Sequence, residues 1–242
     1  MRTPWAQGPE IVAFTGAGLA REAGFAPFAA DAMPAGLRLE DLVTCEGFAR
    51  DPAGVREFYN RRRRQLSETR PNAAYEGLAV IEAVRPHELL IVTGNIDDLH
   101  ERAGSTAVLH MHGELLKARC TICTELSECY DDITEESGCP ICGNPGHLRP
   151  HMVWVGEEPL HLASVFEALA DAALFLAIGA AGGSEPTQSF LAEARRAGAH
   201  TVEFTGEFGR DPAPGAEPFD ERIRGPLAQT VPEYVKRLIA EA

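Results

Sequence analysis

Long apolar runs are missing from this 242-residue sequence. None approaches the roughly 18 residues that a bilayer-crossing helix needs, so no helical membrane span is expected. The first apolar run, residues 11–14, is too short for the core of a secretory signal. A cytoplasmic setting is therefore expected. Positive charge is also scarce: 22 Lys and Arg stand against 36 Asp and Glu, a formal net charge of −14. That balance argues against nucleic acid as a partner, because phosphate backbones call for a basic surface. It is compatible with a basic protein partner. No internal repeat is visible. Cysteine is sparse, with six in the chain. In a chain without an export signal, such cysteines serve metal binding more readily than disulfides.

Four of the six cysteines fall into two close pairs. Cys120 and Cys123 form one C-x-x-C, Cys139 and Cys142 the other, with fifteen residues between the pairs. Each pair can bite one metal from a tight knuckle, and two knuckles complete a closed tetrahedral zinc site of four thiolates. A closed site leaves no position for water, so the zinc is expected to be structural. Cys45 and Cys129 are expected to be free thiols.

The rest of the chain alternates short, continuously apolar runs with helical patterns. Strands are expected over 10–15, 88–93, 108–110, 172–178 and 199–204. Helices are expected after the first strand and over 52–66, 71–84, 187–197 and 232–242, and a loop over 25–39. Strands that are apolar throughout, rather than alternating, belong to a parallel sheet covered on both faces. The expected fold is α/β: a Rossmann-like parallel sheet with helices on both faces, plus a small zinc-ribbon and helical insert domain.

Four further clusters carry candidate chemistry, each with a plain structural alternative. Gly16-Ala17-Gly18 follows the first strand and could cradle phosphate at a helix N-terminus, or could simply be a tight turn. Residues 93–100, Thr-Gly-Asn-Ile-Asp-Asp-Leu-His, lie past the second strand, at the sheet edge where ligands bind in open α/β folds. Asp97 could equally cap a helix. His110 and His112, expected on one side of a strand, include a candidate general base; packing and surface roles are the alternative. Tyr59 and Arg62 share a helical face and could bind a carboxylate, but residues 61–64 are four arginines, and such runs usually form a solvated face.

Taken together and in this order, the motifs resemble one family, the sirtuins. They are Gly16-Ala17-Gly18, Thr93-x-Asn95-Ile96-Asp97-x-Leu99-His100, His112-Gly113, the paired cysteines, and Leu148-Arg149-Pro150-x-x-Val153-Trp154-x-Gly156-Glu157. The resemblance spans nearly the whole chain. Residues 43–48, Phe58-Tyr59-Asn60 and residues 231–235 are similar to its bacterial, CobB-like branch. Tyr59 and Arg62 fall where that branch carries a pair that binds the carboxylate of succinyl- or malonyl-lysine.

The resemblance implies an NAD-dependent protein lysine deacylase that transfers the acyl group to ADP-ribose and releases nicotinamide. NAD+ is the implied co-substrate and an acylated-lysine protein or peptide the implied partner. His112 would be the base and Asn95 would position water and ribose. Asp97 would hold the nicotinamide carboxamide. Gly16, Ala17, Gly18, Glu22, Phe28, Ile96 and Gly179 would line the cofactor site. Val153, Trp154, Gly156 and Glu157, with Tyr59 and Arg62, would take the substrate, whose peptide adds as a strand. The implied division is a cofactor domain of residues 1–29, 76–113 and 148–242, a helical insert of 30–75 and a zinc module of 114–147. The chain departs from the family pattern at Leu19-Ala20, Ala29, Gly94, Ala180-Ala181 and Thr205-Gly206, all cofactor-side positions. An NAD-independent acyl-lysine enzyme, or a non-catalytic acyl-lysine or nucleotide binder, is the alternative reading.

Overall fold

The computed structural model describes residues 8–25, 38–181, 183, 185–207, 209 and 215–240. Strand β1 (Ile11–Thr15) runs through a glycine turn into α1 (Ala17–Glu22). Helices α2 (Leu39–Leu42), α3 (Cys45–Arg50), α4 (Pro52–Glu68) and α5 (Ala73–Val84) follow. Next come β2 (Leu89–Thr93), α6 (Leu99–Arg102), β3 (Val108–His110), β4 (Gly113–Cys120), β5 (Leu126–Glu128) and β6 (Leu148–Met152). The chain closes with α7 (Leu162–Asp171), β7 (Leu174–Ile178), α8 (Thr187–Ala197), β8 (His200–Thr205), β9 (Glu221–Arg224) and α9 (Leu227–Ala240).

Six strands form one sheet in the order β3-β2-β1-β7-β8-β9, parallel throughout. Its central strands β1, β2 and β7 are buried at every position, and apolar except for the terminal Thr15 and Thr93, because both faces are covered. Successive side chains point to opposite faces, and two separate cores result. Ile11, Ala13, Leu89, Ile91, Leu174 and Leu176 pack with α5 and α9. Val12, Phe14, Leu90, Val92, Phe175 and Ala177 pack with α7 and α8. A second sheet, β5-β4-β6, is antiparallel and carries the paired cysteines.

Several elements differ from the sequence reading. The terminal helix starts at Leu227, not 232, and runs through Pro232. Its face of Leu227, Val231 and Val235 is buried at helical spacing, and Pro232 packs against Gly77 of α5. That burial outweighs the roughly 3 kcal/mol that an interior proline costs. Helices α2, α3 and α7 and the edge strand β9 were not expected. Caps explain two of the boundaries: Thr44 accepts from the Gly47 N–H at 3.0 Å, and Asp51 from the Gly54 N–H at 2.9 Å. Most of the expected loop 25–39 lies outside the described residues, although Leu39 already belongs to α2.

The arginine run is not a solvated face. Helical periodicity splits it: Arg61 and Arg64 are exposed, while Arg62 and Arg63 are buried. Arg63 donates to the carbonyls of Leu115 at 3.0 Å and Asp131 at 3.2 Å. Arg56, one face along, donates to the Leu148 carbonyl at 3.0 Å. The arginines of α4 thus tie the helical layer to the small sheet.

Candidate active site

The C-terminal ends of β1, β2 and β7 open onto a cavity of 560 Å³. Its wall includes Gly16, Ala17, Gly18, Glu22, Gly94, His112 and Gly179. Two turns meet there. The Gly16 N–H donates to the Ile178 carbonyl at 3.0 Å and the Gly18 N–H to the Gly179 carbonyl at 2.8 Å. A Cβ on Gly16 would lie 2.7 Å from the Ala180 Cα, and one on Gly179, at φ +59°, 2.4 Å from the Leu19 amide nitrogen. Glycine is required for this approach whatever ligand is bound.

His112 projects into the cavity and is anchored from behind. Its Nδ1 lies 3.0 Å from the Gly94 carbonyl. A carbonyl only accepts, so Nδ1 carries the proton and Nε2 keeps a free lone pair when the ring is neutral. Asn95 is held beside it. Its amide Nδ2 donates to the Gly16 carbonyl at 3.0 Å, and its backbone N–H to Thr93 Oγ1 at 3.1 Å. The side-chain oxygen Oδ1 is left to accept from a ligand. Asp97 is almost fully buried. One carboxylate oxygen accepts from the Leu99 N–H at 3.2 Å, so it does cap α6, but Oδ2 is buried without a partner among the described residues. Burial pushes its pKa up to about 6. Ile96 is also buried; it and Asp97 border a separate pocket with Glu101 and His110 and do not appear on the cavity wall.

His110 and His112 do not share a side. Strand β3 ends at His110, and Gly113 at φ +87° breaks the alternation. His110 faces away from the cavity, with Nδ1 3.1 Å from the Asn95 carbonyl and Nε2 2.9 Å from Glu101 Oε1. Both nitrogens meet acceptors. Burial works against its charge, yet the Glu101 carboxylate raises its pKa. His100 is a packing histidine beneath the site, 2.9 Å from Thr15 Oγ1 and edge-on to Tyr75. Burial holds its pKa down to about 3.

Other expected residues are placed less directly. Glu22 lines the cavity, but its carboxylate accepts from the backbone N–H groups of Leu227 at 2.7 Å and Glu207 at 3.2 Å. Phe28 lies outside the described residues. After β6 the chain passes alongside His112, with the Val153 N–H donating to the His112 carbonyl at 3.0 Å. Trp154 is buried between the Arg149 guanidinium, 4.0 Å above its ring, and Phe48. Glu157 accepts from the Trp154 N–H at 2.8 Å and from Arg149 at 2.9 Å, and Gly156 turns at φ +95°. Tyr59 is buried and donates to the Leu42 carbonyl at 3.1 Å. Arg62 donates to Gln65 at 2.6 Å and lies 4.0 Å over the Phe25 ring. Neither lines the cavity among the described residues.

The four paired cysteines converge. Their sulfurs all lie within 4.8 Å of one another, with Cys120–Cys142 and Cys123–Cys139 both at 3.7 Å. Zinc–sulfur bonds of about 2.3 Å set a tetrahedral edge of about 3.8 Å, so the set fits zinc. Backbone N–H groups of Ile122 and Ile141 approach Cys120 and Cys139 at 3.4 Å, and the Asn144 amide approaches Cys142 at 3.2 Å. Cys129 stays outside the cluster, 3.5 Å from the Asp131 carbonyl, and Cys45 is remote and exposed.

A glycine-walled cavity with this histidine, beside a four-cysteine module, has counterparts. The Sir2 family pattern matches residues 16–186. The chain belongs to the Sir2 family. The NAD-dependent protein deacylase of Escherichia coli strain K12 is 46% identical over 234 residues, covering 96% of this chain and 82% of its own length. That of Salmonella typhimurium is 44% identical over 236 residues, covering 96% and 85%. Among solved structures, a complex of a Sir2 homologue with NAD has 30% identity and a TM-score of 0.82, covering 96% of this chain and 89% of the other. A mutant Sir2 homologue bound to 2′-O-acetyl ADP ribose has 30% identity and a TM-score of 0.81, covering 96% and 92%.

Apart from Ala29, which lies outside the described residues, the departures from the Sir2 pattern now separate into two groups. Leu19 and Ala20 are core residues and do not appear on the cavity wall. Gly94, Ala180, Ala181, Thr205 and Gly206 do line it. Gly206 has a local cause: a Cβ there would lie 2.3 Å from Glu22 Oε1. Gly94 has none, since its Cβ would meet His112 at an ordinary 3.6 Å. The sequence reading missed Phe14, Arg21 and Thr187 on the wall. Arg21, one turn past the glycines on α1, was the one with a legible signal.

Proposed function

We propose that this protein is an NAD-dependent protein lysine deacylase, acting on acylated-lysine proteins or peptides. The observation that carries the reading is His112, its Nδ1 held by the Gly94 carbonyl and its Nε2 lone pair free at the wall of a glycine-lined cavity. The kinship to NAD-dependent protein deacylases and to a Sir2 homologue bound to NAD supports it.

When bound, NAD supplies the ribose carbon that receives the acyl oxygen and the nicotinamide that leaves. The chain's own residues do the rest. His112 Nε2 takes a proton from a hydroxyl in reach, and the Gly94 carbonyl stabilises the resulting imidazolium through Nδ1–H. Asn95, fixed at Gly16, presents Oδ1 to a water or hydroxyl. Asp97 Oδ2 offers the acceptor that an amide N–H2 needs. Gly16, Ala17, Gly18 and Gly179 let the ligand approach the backbone, while Glu22 holds the β8 and α9 ends of the wall. The peptide is taken near residues 153–157, which pass alongside His112 through the Val153 N–H bond to its carbonyl. Zinc at Cys120, Cys123, Cys139 and Cys142 holds the small sheet in place and takes no part in the reaction.

Tyr59 and Arg62 favour an acidic acyl group, with succinyl-lysine preferred over acetyl-lysine. Matched acetyl- and succinyl-peptides, assayed with and without NAD on wild type and Arg62→Met, test both statements. Turnover should require NAD, and the succinyl preference should vanish in Arg62→Met. Turnover without NAD contradicts the activity; an unchanged preference in the variant contradicts only the clamp.

A further inference from the structure

A second, smaller cavity of 170 Å³ lies beside the segment that follows β6. Its lining includes Arg119, Arg149, His151, Val153, Glu157 and Glu158. Arg119 on β4 stands directly opposite Arg149 on β6 in the strand register. Like charges placed so repel, and each needs compensation. Arg149 has it, donating to Glu157 at 2.9 Å and stacking on Trp154. Arg119 has none. Among the described residues it makes no hydrogen bond and no ion pair, and its buried Nε is unpaired.

His151 adds a third group without an acceptor. It sits two residues beyond Arg149, on the same face of β6. It is 4% exposed, forms no hydrogen bond among the described residues, and has a buried, unpaired Nδ1. Burial first, and Arg119 next, hold it neutral. The nearby acids do not answer this deficit. Glu157 is engaged with Arg149 and the Trp154 N–H. Glu114, opposite His151, pairs with Lys117. Glu158, on the same pocket wall, is exposed and forms no ion pair with any of the three among the described residues. In a chain of net charge −14, a cation left without a carboxylate marks a position where something else supplies the anion. Buried polar groups are normally paired, and each unpaired one calls for a partner such as a water, an ion or a ligand.

We propose that this pocket is a subsite for an acidic side chain of the peptide substrate, a carboxylate or a phosphoryl group near the acyl-lysine. The proposal rests on the deacylase reading. Its link to the peptide is Val153, which lines the pocket and donates its N–H to the His112 carbonyl. A peptide passing Val153 on its way to His112 brings a flanking side chain to the pocket that Arg119 and His151 line. Arg119 would supply its guanidinium donors, and neutral His151 one ring N–H.

The test uses acyl-lysine peptides identical except for one flanking residue, scanned along the sequence as Glu, phosphoserine or Gln. Wild type, Arg119→Gln, Arg119→Lys and His151→Gln are compared, each with its zinc content measured. At one flanking position the acidic peptides should show a KM about tenfold below the Gln peptide, the scale of one charge-assisted hydrogen bond. The gap should narrow at high salt and disappear in Arg119→Gln. It should persist in Arg119→Lys, and the Gln peptide's kcat and KM should not change. The ratio of the Glu and phosphoserine arms identifies the preferred oxyanion. Equal KM for all peptides in wild type overturns the proposal, as does an Arg119→Gln loss that strikes the Gln peptide equally. If no peptide turns over with NAD, the deacylase reading fails instead. Fluorescence anisotropy of the same labelled peptides then still reads the subsite: an acidic preference that Arg119→Gln removes supports it, and equal affinities refute it. Where Arg119→Gln does not fold with its zinc, His151→Gln must weaken the acidic preference, and an undiminished one overturns the proposal.

Discussion

Asp97→Asn should stabilise the protein while damaging its activity. The carboxyl is almost fully buried, one oxygen is spent on the Leu99 N–H, and the other has no partner. Burial moves its pKa from 3.8 to about 6. Between those values the native state holds a proton that the unfolded state has released, so stability falls as pH rises through that window. Above pH 6 the whole penalty is in force, about 3 kcal/mol for a shift of about two units. Asn keeps the Leu99 bond through Oδ1 and removes the charge. It leaves an unpaired amide N–H2, which returns about 1 kcal/mol of the gain. The net is about 2 kcal/mol near neutral pH, or a rise in Tm of about 4–8 °C for a chain of this size. Urea unfolding of both proteins from pH 4 to pH 8 measures it. The gain should be full above pH 6, shrink as pH falls through 6, and reverse to a small loss near pH 4. His100 pulls the other way. The unfolded state takes up its proton below about 6.5, whereas the native state resists until about 3, but that background cancels in the comparison. A destabilised variant, or a gain that does not depend on pH, would refute the reasoning. The same variant should lose kcat/KM toward NAD, because the orphaned oxygen is the one assigned to the cofactor.

Four further outcomes are expected. His112→Asn should lower kcat by about 10²–10⁴ and leave Tm within a few degrees, since one hydrogen bond, to Gly94, holds the ring; a large Tm loss would make His112 structural. Chelation should release one zinc per chain and melt the β4–β6 sheet, because metal binding and folding are coupled at such sites; unchanged circular dichroism and Tm after metal loss would contradict this. Gly206→Ala should destabilise by displacing Glu22 from the backbone groups it holds. Gly94→Gln should fold normally and tighten NAD several-fold by adding one hydrogen-bonding side chain. Thermal melts and NAD titrations of the pair check both statements.

Much of this was legible in the sequence, for physical reasons that can be named. The buried strands β1, β2 and β7 announce themselves because residues covered on both faces must be apolar throughout. The zinc knuckles are legible because thiolate geometry demands that spacing. Glycines 16, 18 and 179 are legible as a turn, but their cause is the approach of two turns, a tertiary fact. The arginines of α4 misled: a run of four cations reads as solvated until the partners, backbone carbonyls of Leu115 and Asp131, are in view. His110 and His112 misled for a similar reason, since strand alternation ends one residue too early. Helix α9 was cut short at Pro232 because propensity cannot weigh the burial of Leu227 and Val231. The Arg119–Arg149 opposition was invisible, since the register of β4 on β6 includes an irregularity between Glu114 and Ala118.

The central claim is that the glycine-walled cavity beside His112 takes NAD. Calorimetric titration of the zinc-loaded protein with NAD, in the presence of a succinyl-lysine peptide and with His112→Asn to block turnover, tests it most directly. A saturable one-to-one heat with Kd below about 1 mM, the upper end of ordinary substrate constants, is expected, and it should weaken in Asp97→Asn. No heat from NAD at millimolar concentration, on protein that retains its zinc and still binds the peptide, would contradict the account.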